Sequence, residues 1–187
     1  MPNFTKNAIK TSFLKLLNDC PLSKITVKDI VTDCGINRNS FYYHFEDIPA
    51  LIEEIVREES DRIIKQYPTI STFEDCLKIS VEFALQNKKA IYHIYNSVNR
   101  DIFERYLWQA CQYVVATYIN TAFKQYDVAD NDKQIIVKYY KCELFGQVCE
   151  WLDNGLKEDI LATNRRLCEL RKGMIEELFA RCEKAEN

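Results

Sequence analysis

Apolar residues recur along this chain at intervals of three and four rather than two, in runs long enough to make helices. Between residues 5 and 18, Ile9, Phe13, Leu16 and Leu17 form one stripe, while Lys6, Lys10 and Lys15 fall elsewhere. That is an amphipathic helix, and Asp19-Cys20-Pro21 ends it. Thr26-Val27-Lys28-Asp29 has the form of a capping box with Asp29 in place of the usual Glu, and it predicts a short second helix that turns Val27, Ile30 and Val31 inward and stops at Gly35. Asn37 is placed to cap a third helix running to Phe45, with Phe41, Tyr42 and Phe45 as its apolar positions. Asp47 before Ile48-Pro49 predicts an N-cap with proline in the first turn, opening a helix to about residue 66 that Tyr67-Pro68 closes. Further helices are predicted over residues 72–86, 89–97, 100–125, 130–153 and 158–183. The expectation is an all-α fold: a three-helix head over residues 1–48, then a larger helical domain over residues 49–187.

Composition supports this and removes most enzyme classes. Four glycines and four prolines in 187 residues are too few for a turn-rich β sandwich or barrel. The glycines stand too far apart for a dinucleotide or phosphate-binding loop, and there is no GxSxG, HExxH or CxxC. No catalysis, cofactor or metal site is expected. The net charge of −3 argues against nucleic acid until the chain is divided. Residues 1–45 carry six Lys or Arg against three Asp, whereas residues 46–187 carry 19 against 25, so the positive charge is local to the first three helices. The opening MPNFTKNAIKTSFLKLL lacks the form of an export signal, and no stretch reaches about 18 apolar residues, so a cytoplasmic protein without membrane contact is expected. Cysteines 20, 34, 76, 111, 142, 149, 168 and 182 are scattered singly and mostly on apolar helix positions, as small hydrophobes with free thiols would be.

The arrangement helix, glycine-containing turn, helix lets a second helix enter the DNA major groove while the first braces it. Here the turn is Asp33-Cys34-Gly35-Ile36-Asn37, and the helix after it places polar side chains first and aromatic ones last. The stretch Ile25-Thr26-Val27, Gly35-Ile36, Phe41-Tyr42-Tyr43-His44-Phe45 and Leu51 resembles the signature of the tetracycline-repressor (TetR) family of transcriptional regulators. Gly146, Trp151 and Gly155 add a resemblance to a Firmicutes-type regulatory domain.

That resemblance implies a DNA face made of Thr26, Lys28, Asn37, Arg38, Asn39, Ser40, Tyr42, Tyr43 and His44. Arg38 has the geometry to fork onto guanine O6 and N7, a contact worth about 1–3 kcal/mol of discrimination, and Asn39 suits adenine. Thr26, Lys28, Tyr42 and His44 suit phosphates. Two departures stand out. Cys34 replaces the small residue usual before the turn glycine, and Glu46-Asp47-Ile48-Pro49 replaces a Lys expected to anchor phosphate.

A head of this size reads one half-site, so a homodimer on a palindromic double-stranded operator is implied. The last two predicted helices carry the expected interface: Tyr140, Leu144, Val148 and Trp151 on one, and Cys168, Ile175 and Phe179 on the other. Gly146 in mid-helix costs about 1 kcal/mol against Ala unless a close helix approach offsets it. The resemblance also implies a pocket for an unidentified small-molecule effector, for which Tyr92, Tyr95, Phe103, Tyr106, Trp108, Cys111, Tyr113 and Tyr118 are the expected lining. His93 among them reads as a hydrogen-bonded histidine. Repression is the family default. The alternative is a protein that keeps this fold but acts through a protein partner, as a co-activator would, and the acidic residues after His44-Phe45 favour it.

Overall fold

A computed structural model describes residues 2–185, so Met1 and residues 186–187, at the ends of the two expected domains, lie outside the described residues. The described residues form α-helices joined by short turns, with no strand among them. In chain order these are α1 (Pro2–Asp19), a 3-10 turn (Leu22–Lys24), α2 (Val27–Asp33), α3 (Arg38–His44), α4 (Ile48–Gln66) and α5 (Phe73–Gln86). They continue with α6 (Lys88–Tyr95), α7 (Arg100–Ala122), α8 (Asp130–Asp153), α9 (Ile160–Leu170) and α10 (Met174–Ala185). None of them is long and apolar enough to cross a membrane.

Two compact units result. The first holds the chain up to Asp61 with Phe83–Tyr106, and the second holds Arg62–Glu82 with the chain from Leu107 on. The core of the first unit is built from the predicted stripe of α1, with Ile9, Phe13 and Leu17 fully buried, and from Leu22, Ile25, Ile30, Val31, Phe41 and Phe45. Ser12 is buried too, and its hydroxyl donates to the Ile30 carbonyl at 3.1 Å, which fixes α2 against α1. The second unit is centred on Phe73, Leu77, Cys111, Val114, Val115, Leu144, Val148, Trp151 and Phe179, with the Phe123 and Phe179 rings stacked at 4.5 Å.

Residues 158–183 do not form the single helix expected. Gly173 has φ of +87°, in the left-handed region where a Cβ is strained, and it breaks the segment into α9 and α10. The end of α8 is closed by Leu156 N–H donating to Trp151 O and Gly155 N–H to Leu152 O, both at 3.0 Å. The buried Trp151 indole N–H donates to Glu158 O at 3.1 Å, so Trp151 and Gly155 together fix the turn that starts α9.

Candidate functional site

The turn between α2 and α3 is determined by local hydrogen bonds. Thr26 accepts from Asp29 N–H at 3.3 Å, and the Asp29 carboxylate accepts from Thr26 N–H at 2.9 Å, completing the capping box. The Thr26 hydroxyl, which also donates to the Asp29 carboxylate at 2.6 Å, and then the Thr26 N–H hold the Asp29 carboxyl below the usual carboxylate range. At the other end, Ile36 N–H donates to Val31 O at 3.0 Å and Gly35 N–H to Thr32 O at 3.4 Å. This doubled closure needs a left-handed residue at its centre, and Gly35 supplies it with φ of +70°. Cys34 is accommodated half-buried, and burial pushes its thiol up. Asn37 then caps α3 by accepting from Ser40 N–H at 2.8 Å and from Ser40 Oγ at 3.1 Å.

Phe41 and Phe45 anchor α3 in the core. Arg38, Asn39, Tyr42 and Tyr43 therefore point outward and are exposed, with Tyr43 at 80%. None of these four makes a hydrogen bond to the described residues. His44 is half-buried and meets the Tyr43 ring edge-on at 5.0 Å. Lys28 is exposed on α2. The polar atoms of Thr26, Asn37 and Ser40 are engaged in caps, so these three shape the turn while Lys28, Arg38, Asn39, Tyr42 and Tyr43 leave donors and acceptors open. Tyr42, counted as apolar in the sequence pattern, faces solvent.

The positive charge of the head is smaller than composition suggests. Lys6 pairs with Glu54 at 2.6 Å, Lys10 with Glu58 at 2.5 Å and Lys15 with Asp33 at 2.5 Å. Lys6, with Arg57 second, holds the Glu54 carboxyl down to about 2. Lys24, Lys28 and Arg38 make no direct ion pair among the described residues. The acidic departure has a structural role at one of its residues: Asp47 caps α4, accepting from Ala50 N–H at 2.8 Å. Glu46 is exposed.

The aromatic set of the middle region divides between the two units. In the first, Tyr95 is fully buried under the Arg100 guanidinium, 3.8 Å from its ring centre, with Phe103 edge-on at 6.2 Å. Tyr106 donates to Glu53 at 3.1 Å, and Tyr92 is partly exposed. In the second, Tyr113 donates to the carbonyls of Ile64 and Tyr67 at 2.9 and 3.1 Å, which fastens α7 to the end of α4. Trp108 packs against Phe145 under the Lys141 ammonium at 4.0 Å. Cys111 is buried, its thiol pushed up to about 12. Of the whole set, Tyr118 lines a described cleft, one of about 320 Å³ that also includes Tyr140, Cys168 and Arg171.

Tyr140, Leu144, Val148, Trp151 and Phe179 are covered by their own unit. Cys168 is half-buried, and Ile175 lines the same cleft as Tyr118. Sequence reasoning missed the outward apolar face of these helices: Ile135 is 57% exposed, Tyr139 63%, Met174 55% and Leu178 36%. They border a second cleft, of about 670 Å³, between α8 and α10. Cys142 and Gly146 continue the α8 part of this face and are exposed. The 4-3-4 spacing of Ile135, Tyr139, Cys142 and Gly146 is the signal that marks it.

Comparison with known proteins bears on this geometry. Residues 71–173 match the TetR C-terminal family described as "Transcriptional regulator C-terminal region". A stretch of 65 residues is 29% identical to the uncharacterized HTH-type transcriptional regulator YxbF of Bacillus subtilis (strain 168); it covers 35% of this chain and 17% of that relative. The match thus spans under a fifth of the relative's length. Among solved structures, the Dihydroxyacetone kinase operon activator DhaS superposes with a TM-score of 0.72 at 18% identity, over 96% of each chain. A TetR transcriptional regulator from Streptococcus agalactiae 2603V superposes with a TM-score of 0.52 at 22% identity, over 87% of this chain and 94% of that one. These two likenesses concern the fold, while the matched region covers more than half of the sequence, and on that ground the chain belongs to the TetR family of transcriptional regulators.

Proposed function

We propose that this regulator binds a two-fold-symmetric DNA operator as a homodimer, reads it with α3, and changes its operator affinity when a small molecule occupies the domain over residues 49–187. The observation that carries this is the outer face of α3. Arg38, Asn39, Tyr42 and Tyr43 are exposed and free of hydrogen bonds to the described residues, while Phe41 and Phe45 hold the helix rigid beneath them. A rigid helix with open donors and acceptors suits base readout. Lys28 and His44 at its edges suit phosphates. Residues 1–48 act as the head, and the outward apolar face of α8 and α10 is the dimer surface. Repression is the family default and is the sign proposed here; the activator DhaS resembles this chain at an identity that supports only the fold.

The mechanism is a population shift. A ligand that fits one arrangement of the helices better than the other changes the fraction of dimers whose heads match the operator spacing.

A second reading, action through a protein partner without specific DNA binding, draws on the neutralised lysines at 6, 10 and 15 and on the acidic Glu46. Selecting duplexes from a random DNA pool with the purified protein at about physiological salt separates the two readings. Enrichment of a two-fold-symmetric site is the outcome the first requires; a folded dimer that enriches nothing favours the second.

A further inference from the structure

Tyr118 and Tyr140 are 93% and 96% buried by exposure, yet neither hydroxyl has a hydrogen-bond partner among the described residues. Neither hydroxyl is a sealed orphan; the described buried side-chain polar atom of that kind is the Asn164 amide nitrogen. Both tyrosines line the cleft of about 320 Å³ in the second unit, and Phe73 packs edge-on against both rings, at 6.0 and 5.2 Å. Burial raises the pKa of both, so at neutral pH each hydroxyl carries a proton to donate.

Around these two donors the cleft collects charged groups of both signs. Ser71, Thr72 and Glu74 on its wall place it at the N-terminus of α5, a helix of 14 residues whose Asp75 N–H donates to Thr72 Oγ1 at 3.1 Å and whose first turn carries Glu74 and Asp75. Arg171 and Lys172 line the opposite wall; the Arg171 guanidinium pairs with Glu143 and lies 4.6 Å from the Phe73 ring centre and 5.6 Å from that of Tyr140. Two carboxylates border the same space. Glu74 is engaged by Arg165 at 3.3 Å, and Glu176 stands in the first turn of α10.

We infer that this cleft binds a small metabolite carrying a carboxylate or phosphate group, whose oxygens accept hydrogen bonds from Tyr118 and Tyr140 at the start of α5. Glu176 is placed to accept a bond from a hydroxyl or ammonium on the other end of the molecule. The volume of about 320 Å³ admits a molecule of metabolite size. The site deepens the effector part of the proposed function and rests on it for its regulatory meaning.

The test is isothermal titration of the intact protein with three probes: inorganic phosphate, acetate and glycine, which separate phosphate, bare carboxylate and carboxylate beside an ammonium. Saturable binding of at least one probe is expected. Tyr118→Phe and Tyr140→Phe, which remove one oxygen each and keep the rings packed, should each raise its dissociation constant about tenfold. No saturable heat with any probe overturns the site, as does equal affinity in both Phe variants with the wild-type helical content. Binding that leaves operator affinity unchanged keeps the site and refutes its role as the effector site. Operator binding that survives the loss of the site leaves the DNA reading intact.

Discussion

His93 Nδ1 lies 2.6 Å from the carbonyl oxygen of Leu17. A carbonyl only accepts, so the imidazole donates, and α6 is tied to the last turn of α1, where carbonyls lack intrahelical partners. A residue from the middle of the sequence thus fixes the helix against which α2 packs. His93→Ala should lower the unfolding free energy by about 1 kcal/mol in urea denaturation. An unchanged midpoint would show that the bond contributes nothing.

The capping box at the start of α2 makes a second expectation. Thr26 and Asp29 satisfy each other's backbone N–H groups in a helix of only seven residues, too short to persist on propensity alone. Thr26→Ala should cost about 1 kcal/mol and Thr26→Ser much less. Equal losses in the two variants, measured by thermal melts, would mean that the methyl group matters rather than the hydroxyl.

Acid sensitivity follows from Glu54. Its carboxyl is held down to about 2 chiefly by Lys6, from an ordinary value of 4.5. A depressed pKa stabilises the fold above the unfolded value, so this contribution is complete above about pH 5 and disappears as pH falls from 4.5 toward 2. Glu54→Gln should reduce stability at pH 7 by about 1 kcal/mol, allowing for partial exposure, and bring the variant and wild-type curves together only as pH falls to about 2 and below. A constant difference across that range would mean that the pair is not the cause.

Gly146 separates monomer stability from assembly. Beyond the local backbone of α8, no described atom lies within 4 Å of where its Cβ would stand, although glycine in mid-helix costs about 1 kcal/mol against alanine. If a second copy packs on the face of Ile135, Tyr139 and Cys142, Gly146→Leu should leave each chain folded and weaken the dimer at least tenfold in analytical ultracentrifugation. Tyr139→Glu should do the same. Wild-type dimerisation in both variants would move the interface elsewhere.

Much of the head was legible in the sequence because its signals are local. The Thr26 box, the Asn37 cap and the Gly35 turn each lie within a few residues of their partners, and the structure shows all three. What the sequence concealed depends on contacts distant along the chain. Nothing near Lys6 or Lys10 announces that Glu54 and Glu58 neutralise them, and nothing near Tyr113 announces that its hydroxyl serves the carbonyls of Ile64 and Tyr67. On α8 two apolar stripes compete, one through Tyr140 and Leu144 and one through Ile135 and Tyr139; burial, not pattern, decides that the first faces inward. The break at Gly173 was hidden by apolar periodicity that continues on both sides of it.

The DNA face is tested most directly by comparing Arg38→Ala with Lys28→Ala on a selected operator, with affinity measured against single-base variants and across a salt titration. Arg38→Ala should cost about 1–3 kcal/mol and relax preference at one base pair of each half-site. Lys28→Ala should weaken all sequences alike and lower the salt slope by about one unit per head. Unchanged affinity, preference and salt slope in both variants would contradict the assignment of α3 and the start of α2 to DNA.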